Sequence, residues 1–213
     1  MDGGTTSRSL RAMGAMAANP RHAWLWLQDR LRPRSPIEKA LPWTSWASIQ
    51  YLDSIDLTDR TVFEYGGGGS TLYFLRRGCV VTTVENNEAW ASRIRERAGP
   101  FAQRLTLKVI DMPEHPDDSF RSLANAYVNS VNCAALWDII LVDGADGDLR
   151  LRMECLAISR QLSPPGGLVI LDDSWRREYV CASTIMDGFS RRQFRSLGPA
   201  RLGVTQTDIY RRN

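Results

Sequence analysis

The sequence has almost no lysine: of its 27 basic residues only Lys39 and Lys108 are lysine. Against 24 acidic residues the net charge is +3, and the positive side chains are scattered in ones and twos. That balance favours solubility, and it supplies no basic, aromatic-laced stripe of the kind that grips nucleic acid, so no nucleic-acid partner is expected. The arginine excess fits codon usage in a GC-rich genome better than a guanidinium-driven anion site. Cysteine is also scarce. Cys79, Cys133, Cys155 and Cys181 lie 54, 22 and 26 residues apart, which excludes a CxxC clip or a zinc ribbon. Their apolar neighbours predict buried thiols in a reducing compartment. No window approaches about 18 consecutive apolar residues, so no membrane span is expected. The first twenty residues mix Gly, Thr, Ser and Ala with Arg8 and Arg11 and lack the continuous apolar core of a secretion signal. The expectation is a cytoplasmic protein with no membrane partner. Its oligomeric state is open, a homo-oligomer included.

What is present suffices for one compact domain. A chain of 213 residues at 43% hydrophobic buries roughly 70% of its unfolded surface without metals or disulfides to hold it. Residues 1–20 have no period and end at Asn19-Pro20, which predicts a flexible leader. Residues 21–58 read as N-terminal helices covering a cleft. The first, His22 to Arg32, carries Trp24, Leu25, Leu27 and Leu31 before Pro33 and Pro36 stop it. The second runs from Thr44 as N-cap to Ile55 and buries Trp46, Ile49, Leu52 and Ile55.

From about residue 59 to the end the rhythm changes to short apolar runs: Thr61 to Tyr65, Val80 to Val84, Leu105 to Ile110, Ile139 to Val142 and Leu168 to Leu171. Such runs suit parallel strands covered on both faces, with helices as crossovers: Ser70 to Arg77, Glu88 to Ala98, part of 118–131, Asp148 to Leu162, and Ser174 to about Phe189. Gln193 to Leu197 and Val204 to Tyr210 leave no room for a helix between them and so form an antiparallel hairpin. The predicted fold class is α/β, a doubly wound, mostly parallel seven-stranded sheet with one reversed strand in the C-terminal hairpin. There is no internal repeat and no second domain within residues 21–213.

The chemistry gathers at Glu64-Tyr65-Gly66-Gly67-Gly68-Gly69-Ser70-Thr71, where a strand runs into four glycines and a helix start. Successive missing Cβ atoms let a ligand lie against backbone N–H groups. A diphosphate dinucleotide would want GxGxxG, but the sixth position counted from Gly66 is Thr71, and no GK[ST] is present for a P-loop. Glu64 makes the rim acidic, which favours an amino-bearing ligand over phosphate. Glu85 ends the second strand, 17 residues past Gly68, where a doubly wound sheet places an acid on the hydroxyls of an adenosine ribose. Asp111 ends the third, near where an adenine amino group would fall.

These residues resemble the class I, Rossmann-like S-adenosylmethionine-dependent methyltransferases. The first family motif is matched by Glu64 to Ser70 and the ribose acid by Glu85. The likeness continues through Trp137-Asp138-Ile139-Ile140-Leu141-Val142-Asp143-Gly144 and Pro164-Pro165-Gly166-Gly167-Leu168-Val169-Ile170-Leu171-Asp172-Asp173, covering about residues 44–210. The resemblance implies that S-adenosylmethionine is the cofactor, bound by residues 59–213. Gly66, Gly67 and Gly68 would form its bed, Ser70 would meet its methionine end, and Asp143 would lie where the methyl faces the acceptor. It also implies a small-molecule acceptor, methylated at a hydroxyl oxygen.

Asp143, Asp172 and Asp173 end adjacent strands, and carboxylates that converge need neutralising, either by protonation of one or by a hard divalent ion such as Mg²⁺. This resembles the metal-dependent catechol and caffeoyl-CoA O-methyltransferases, with Asp173 in place of their Asn and Asp146 in place of their Lys. Without a metal, Asp143 or Asp146 would be the general base, while His115 reads as a solvated loop residue. Trp43, Trp46 and Trp175 are candidates to wall the acceptor. Trp24, Trp26, Trp90 and Trp137 read as packing residues, and Arg150 and Arg176 as surface salt-bridge partners in preference to holding an acidic acceptor. Two other functions remain open: aminopropyl transfer from decarboxylated S-adenosylmethionine, against which Glu64 and the lack of an N-terminal strand domain argue, and a non-catalytic nucleoside-binding module.

Overall fold

The computed structural model describes residues 12–31, 34–113, 118–132, 136–144, 149–199 and 203–213. After a helical stretch over residues 12–18 come α1 (Pro20–Leu31), the single turn α2 (Pro36–Lys39) and α3 (Trp46–Asp53). Then follow β1 (Thr61–Tyr65), α4 (Gly69–Arg76), β2 (Val80–Glu85), α5 (Glu88–Ala98), β3 (Leu105–Val109), α6 (Phe120–Asn129), β4 (Ile139–Val142), α7 (Leu149–Leu162), β5 (Leu168–Leu171), the short α8 (Ala182–Ile185), β6 (Phe189–Leu197) and β7 (Val204–Arg212). The strands form one seven-stranded sheet in the order β3-β2-β1-β4-β5-β7-β6. Pairs among β1 to β5 are parallel, while β7 runs antiparallel to both β5 and β6. The expected fold class and strand centres are therefore observed.

Apolar runs of period two explain how the sheet is covered on both faces. Val62, Ile139, Leu141, Leu168 and Ile170 join one core cluster with Leu72 and Ile94, whereas Phe63, Tyr65, Ile140, Val142, Val169 and Leu171 join another with Tyr127 and Leu156. The register then sets the site. Tyr65 lies opposite both Val84 and Val142, and Val142 lies opposite Leu171. The loops that begin at Gly66, Asn86, Asp143 and Asp172 thus leave the sheet along one edge. Strand order reverses between β1 and β4, which opens a crevice there.

The structure departs from the sequence expectations at several places. Residues 12–18 are helical and Ala12 is buried in the core, within the stretch expected to be leader. Ser45, not Thr44, caps α3, its hydroxyl accepting from the Ser48 N–H. Trp26 packs on the core as expected, but Trp24 is 59% exposed. Cys79 and Cys155 are buried thiols, Cys181 is exposed, and Cys133 lies outside the described residues. The helix expected over Ser174 to Phe189 is broken into a 3-10 turn at Arg177–Tyr179 and the one-turn α8. Tyr179, Ala182 and Met186 keep the helical burial period, but Asp173 sits in the left-handed region at φ 52° and turns the chain away before a helix can start. Among the described residues no helix is long and apolar enough to cross a membrane.

Side chains of the N-terminal segment such as Ile37, Trp46, Ile49 and Leu52 join the core, and its backbone rests directly on the first turn of α4. A Cβ on Gly69 would stand 2.1 Å from the Leu41 carbonyl oxygen and 2.5 Å from that of Pro36. Gly69→Ala is expected to lower stability by about 1–3 kcal/mol, because backbone atoms cannot rotate out of the way. Urea unfolding followed by circular dichroism measures it.

Candidate functional site

The site begins where two loop backbones touch. Gly66, at φ 83°, still donates to the Val84 carbonyl, and a Cβ there would lie 2.4 Å from the Gly144 Cα. The Tyr65 carbonyl accepts from both Asp143 N–H and Gly144 N–H, at 3.0 and 2.6 Å. Gly66 and Gly69 thus serve contacts within the chain itself, so the four glycines are not all open to a ligand, as the sequence suggested.

Glu85, almost fully buried at the end of β2, binds the loop from the other side. Its Oε2 accepts from Gly67 N–H at 2.9 Å, and Oε1 accepts from Asn86 and Asn87 N–H at 3.0 and 3.1 Å. Burial raises its pKa, and those three N–H groups oppose the rise. Each carboxylate oxygen takes about two donors, so Oε2 keeps an acceptor position for a hydroxyl. The Gly67 carbonyl accepts from the indole N–H of Trp90 at 2.8 Å. Trp90, expected as a packing anchor, therefore shapes the loop, aided by Asn87, which caps α5 by accepting from the Trp90 backbone N–H.

Glu64 does not make the rim acidic. It is wholly buried beneath the loop, with Oε2 accepting from the Thr83 hydroxyl at 2.7 Å and Oε1 without a hydrogen-bond partner. Burial drives its pKa from 4.5 to about 7, the Asp143 charge adding to the rise and the Thr71, Thr83 and Ser70 hydroxyls opposing it. Ser70 is buried in the first turn of α4, whose leading N–H groups have no acceptor within the helix. Asp111 is exposed just beyond β3.

The three aspartates expected to hold Mg²⁺ are not arranged as ligands. Asp172 is buried, and its Oδ1 accepts from the Thr207 hydroxyl at 2.8 Å. Asp173 accepts from the Thr205 hydroxyl at 3.0 Å and from the Trp175 indole at 3.3 Å, and forms an ion pair with Arg176. Asp143 faces Arg152, its Oδ1 3.5 Å from a guanidinium nitrogen. Among the described residues no three His, Cys, Asp or Glu side chains gather to hold a metal ion. The donor set does not fit the ion, because β7 hydroxyls and arginines take up the carboxylates.

Arg152 escaped the sequence reading, although a signal was available. It occupies the buried stripe of α7 with Cys155, Leu156 and Ser159, where a charge is out of place unless something binds it. Tyr127 was missed as well: its hydroxyl is buried beside Gly144 without a hydrogen-bond partner. Of the tryptophans proposed as walls, Trp43 and Trp175 are 48% and 58% exposed, while Trp46 lies in the core and cannot line a cleft. Trp137 anchors the core on Phe63 as expected. Asp146, His115 and the Arg150 side chain lie outside the described residues.

The raised pKa of Glu64 has a measurable sign. Folding then binds a proton more tightly than the unfolded chain does, so this group stabilises the fold below pH 4.5, and that contribution is lost as pH rises toward 7. A rise from 4.5 to about 7 is worth about 3 kcal/mol. Glu64→Gln is expected to match the wild type near pH 4.5 and to exceed its stability by up to that amount above pH 7. Denaturant unfolding across pH measures the difference.

No family model matches the sequence, and no curated protein matches it. Solved structures do match over nearly the whole chain. A candidate O-methyltransferase from Klebsiella pneumoniae aligns over 95% of this chain and 99% of its own, at 20% identity and a TM-score of 0.61. An O-methyltransferase from Streptomyces achromogenes involved in tomaymycin synthesis, solved in complex with SAM, aligns over 90% of this chain and 96% of its own, at 15% identity and a TM-score of 0.61. The Thermus thermophilus 16S rRNA N2 G1207 methyltransferase, solved with AdoMet and guanosine, covers 79% of this chain and 43% of its own, at 16% identity and a TM-score of 0.50. The chain has the Rossmann-like fold of these S-adenosylmethionine-dependent methyltransferases.

Proposed function

We propose that this protein is an S-adenosylmethionine-dependent methyltransferase acting on a small-molecule acceptor, at a hydroxyl oxygen. The observation that carries the proposal is the Glu85 carboxylate, held against the glycine loop by Gly67 N–H with an acceptor position to spare. That is the chemistry a ribose needs: hydroxyl donors meeting an oriented anion beside a bare backbone. The Streptomyces O-methyltransferase of the same fold was solved with SAM, which supports the cofactor. The scattered positive charge supports a small acceptor over RNA, the substrate of the Thermus enzyme of this fold. The buried thiols of Cys79 and Cys155 support a reducing, cytoplasmic setting.

In this reading the N-terminal helices and residues 59–213 form one domain around the cofactor. Gly67, Gly68 and Ser70 cradle the methionine end, with the buried Glu64 beneath the loop. Asp111 lies toward the adenine. The acceptor oxygen attacks the methyl carbon in line; the C–O bond forms as the C–S bond breaks, and the electron pair leaves on sulfur, which becomes a neutral thioether. Asp143, which follows β4, takes the hydroxyl proton in this reading; Asp146, the other base candidate, lies outside the described residues. The step depends chiefly on orientation, so few reactive side chains are needed.

Calorimetric titration with S-adenosylmethionine and S-adenosylhomocysteine tests the proposal. The wild type is expected to bind both at micromolar concentration. Glu85→Ala is expected to bind tenfold to a hundredfold more weakly, the equivalent of about 1.5–3 kcal/mol for hydrogen bonds to a charged group. Equal binding by the two proteins refutes the ribose assignment, and no binding by either refutes the cofactor.

A further inference from the structure

The sheet edge that carries the site is rich in acid. Glu64 and Glu85 stand on β1 and β2, and Asp143 and Asp172 follow β4 and β5. Carboxylates concentrated in this way, two of them without exposure, call for a cation. Arg152 enters this edge from the first turn of α7 and is 4% exposed, the only arginine among the buried polar and charged residues described. Its Nη2 donates to the Asp143 carbonyl at 2.5 Å, and Nε donates to the Gly144 carbonyl at 3.1 Å. Nη1 reaches the Asp172 carbonyl at 3.5 Å, and the Asp143 carboxylate lies 3.5 Å from Nη2. One planar guanidinium thus spans the loops that leave β4 and β5. A planar fork with five N–H donors can span both loops at once, whereas a single ammonium supplies the charge but reaches only part of them.

We propose that Arg152 is the resident cation of the cleft: it stands between the β4 and β5 loops in place of a divalent ion, and it is the positioning residue that holds Gly144 against Gly66. Asp172 and Asp173 are turned toward Thr207, Thr205 and Arg176, and Arg152 binds backbone carbonyls that a hard cation would otherwise claim. The carbonyls it grips belong to the residues whose N–H groups bond to Tyr65. Its charge and the shape of the glycine crevice are therefore linked. The inference deepens the methyltransferase reading and rests on it for the ligand whose bed Arg152 shapes.

Manganese uptake, read by the electron paramagnetic resonance signal of free Mn²⁺, tests the proposal with and without S-adenosylhomocysteine. Wild type is expected to take up no stoichiometric Mn²⁺ in either state and to keep its melting temperature in EDTA. One Mn²⁺ bound per wild-type chain overturns the proposal. Arg152→Gln is expected to bind S-adenosylhomocysteine at least tenfold more weakly by calorimetry, with affinity partly recovered either by Arg152→Lys or by adding Mn²⁺ to Arg152→Gln. Wild-type affinity in Arg152→Gln overturns the positioning role, and an affinity that recovers by neither route overturns the role of the charge. If Arg152→Gln does not fold, the wild-type Mn²⁺ measurement and the Arg152→Lys affinity decide. If the wild type binds no S-adenosylhomocysteine, the methyltransferase reading fails, while Mn²⁺ uptake without ligand still decides the question of the cation.

Discussion

The working edge of the sheet depends on two backbones approaching closer than side chains permit. At Gly66 and Gly144 the loops after β1 and β4 come together with no Cβ between them, and the Tyr65 carbonyl accepts an N–H from each of two consecutive residues across the gap. The other contacts extend this one. Glu85 draws Gly67 toward β2, Trp90 holds its carbonyl, and Arg152 pulls the Asp143 and Gly144 carbonyls toward α7. The crevice is thus bounded on three sides by hydrogen bonds to main-chain atoms. Its shape follows from backbone geometry, which is the stiffest part of the chain.

Electrostatics divides the acids of this edge into two kinds. Glu85, Asp172 and Asp173 are buried but accept hydrogen bonds from backbone N–H or hydroxyl groups, so the cost of removing them from water is largely offset. Glu64 is different. Its Oε1 makes no hydrogen bond, although the Thr71 and Ser70 hydroxyls are near enough to favour its charge, in a wholly buried position below the loop. A strand interior would shed such a group unless a ligand or a proton completed it. Burial lifts its pKa to about 7, so near neutral pH a proton completes it for much of the time.

Much of the architecture was legible in the sequence, and the reason is physical. Strands such as Ile139–Val142 and Leu168–Leu171 are buried on every residue, and a continuous apolar run states this directly. The helix expected over Ser174 to Phe189 failed because burial period and backbone path are separate properties. Tyr179, Ala182 and Met186 face inward at helical spacing, but a left-handed Asp173 starts the segment in turns. Glu85 and the glycine loop could be placed by their distance along one βαβ unit. The aspartates could not, because their direction is set by Thr205 and Thr207, which come from the other end of the chain. Arg152 escaped because its described hydrogen bonds go to backbone carbonyl groups, which every residue carries and no motif records.

The same long-range hydroxyls tie the segment from α2 to α3 to the working edge. The backbone N–H of Ser45, the cap of α3, donates to the Thr207 hydroxyl, and that hydroxyl donates to Asp172 at the end of β5. Each member of this chain is buried, so none of these bonds competes with water. On the other flank the Pro36 and Leu41 carbonyls rest on Gly69 in the first turn of α4. The segment that runs from α2 to α3 is therefore fixed at both ends of the edge, against the glycine loop on one side and the β5 acid on the other. Displacing it would expose a buried carboxylate and the N-terminal turn of α4 together, so its holds on β5 and on α4 act as one.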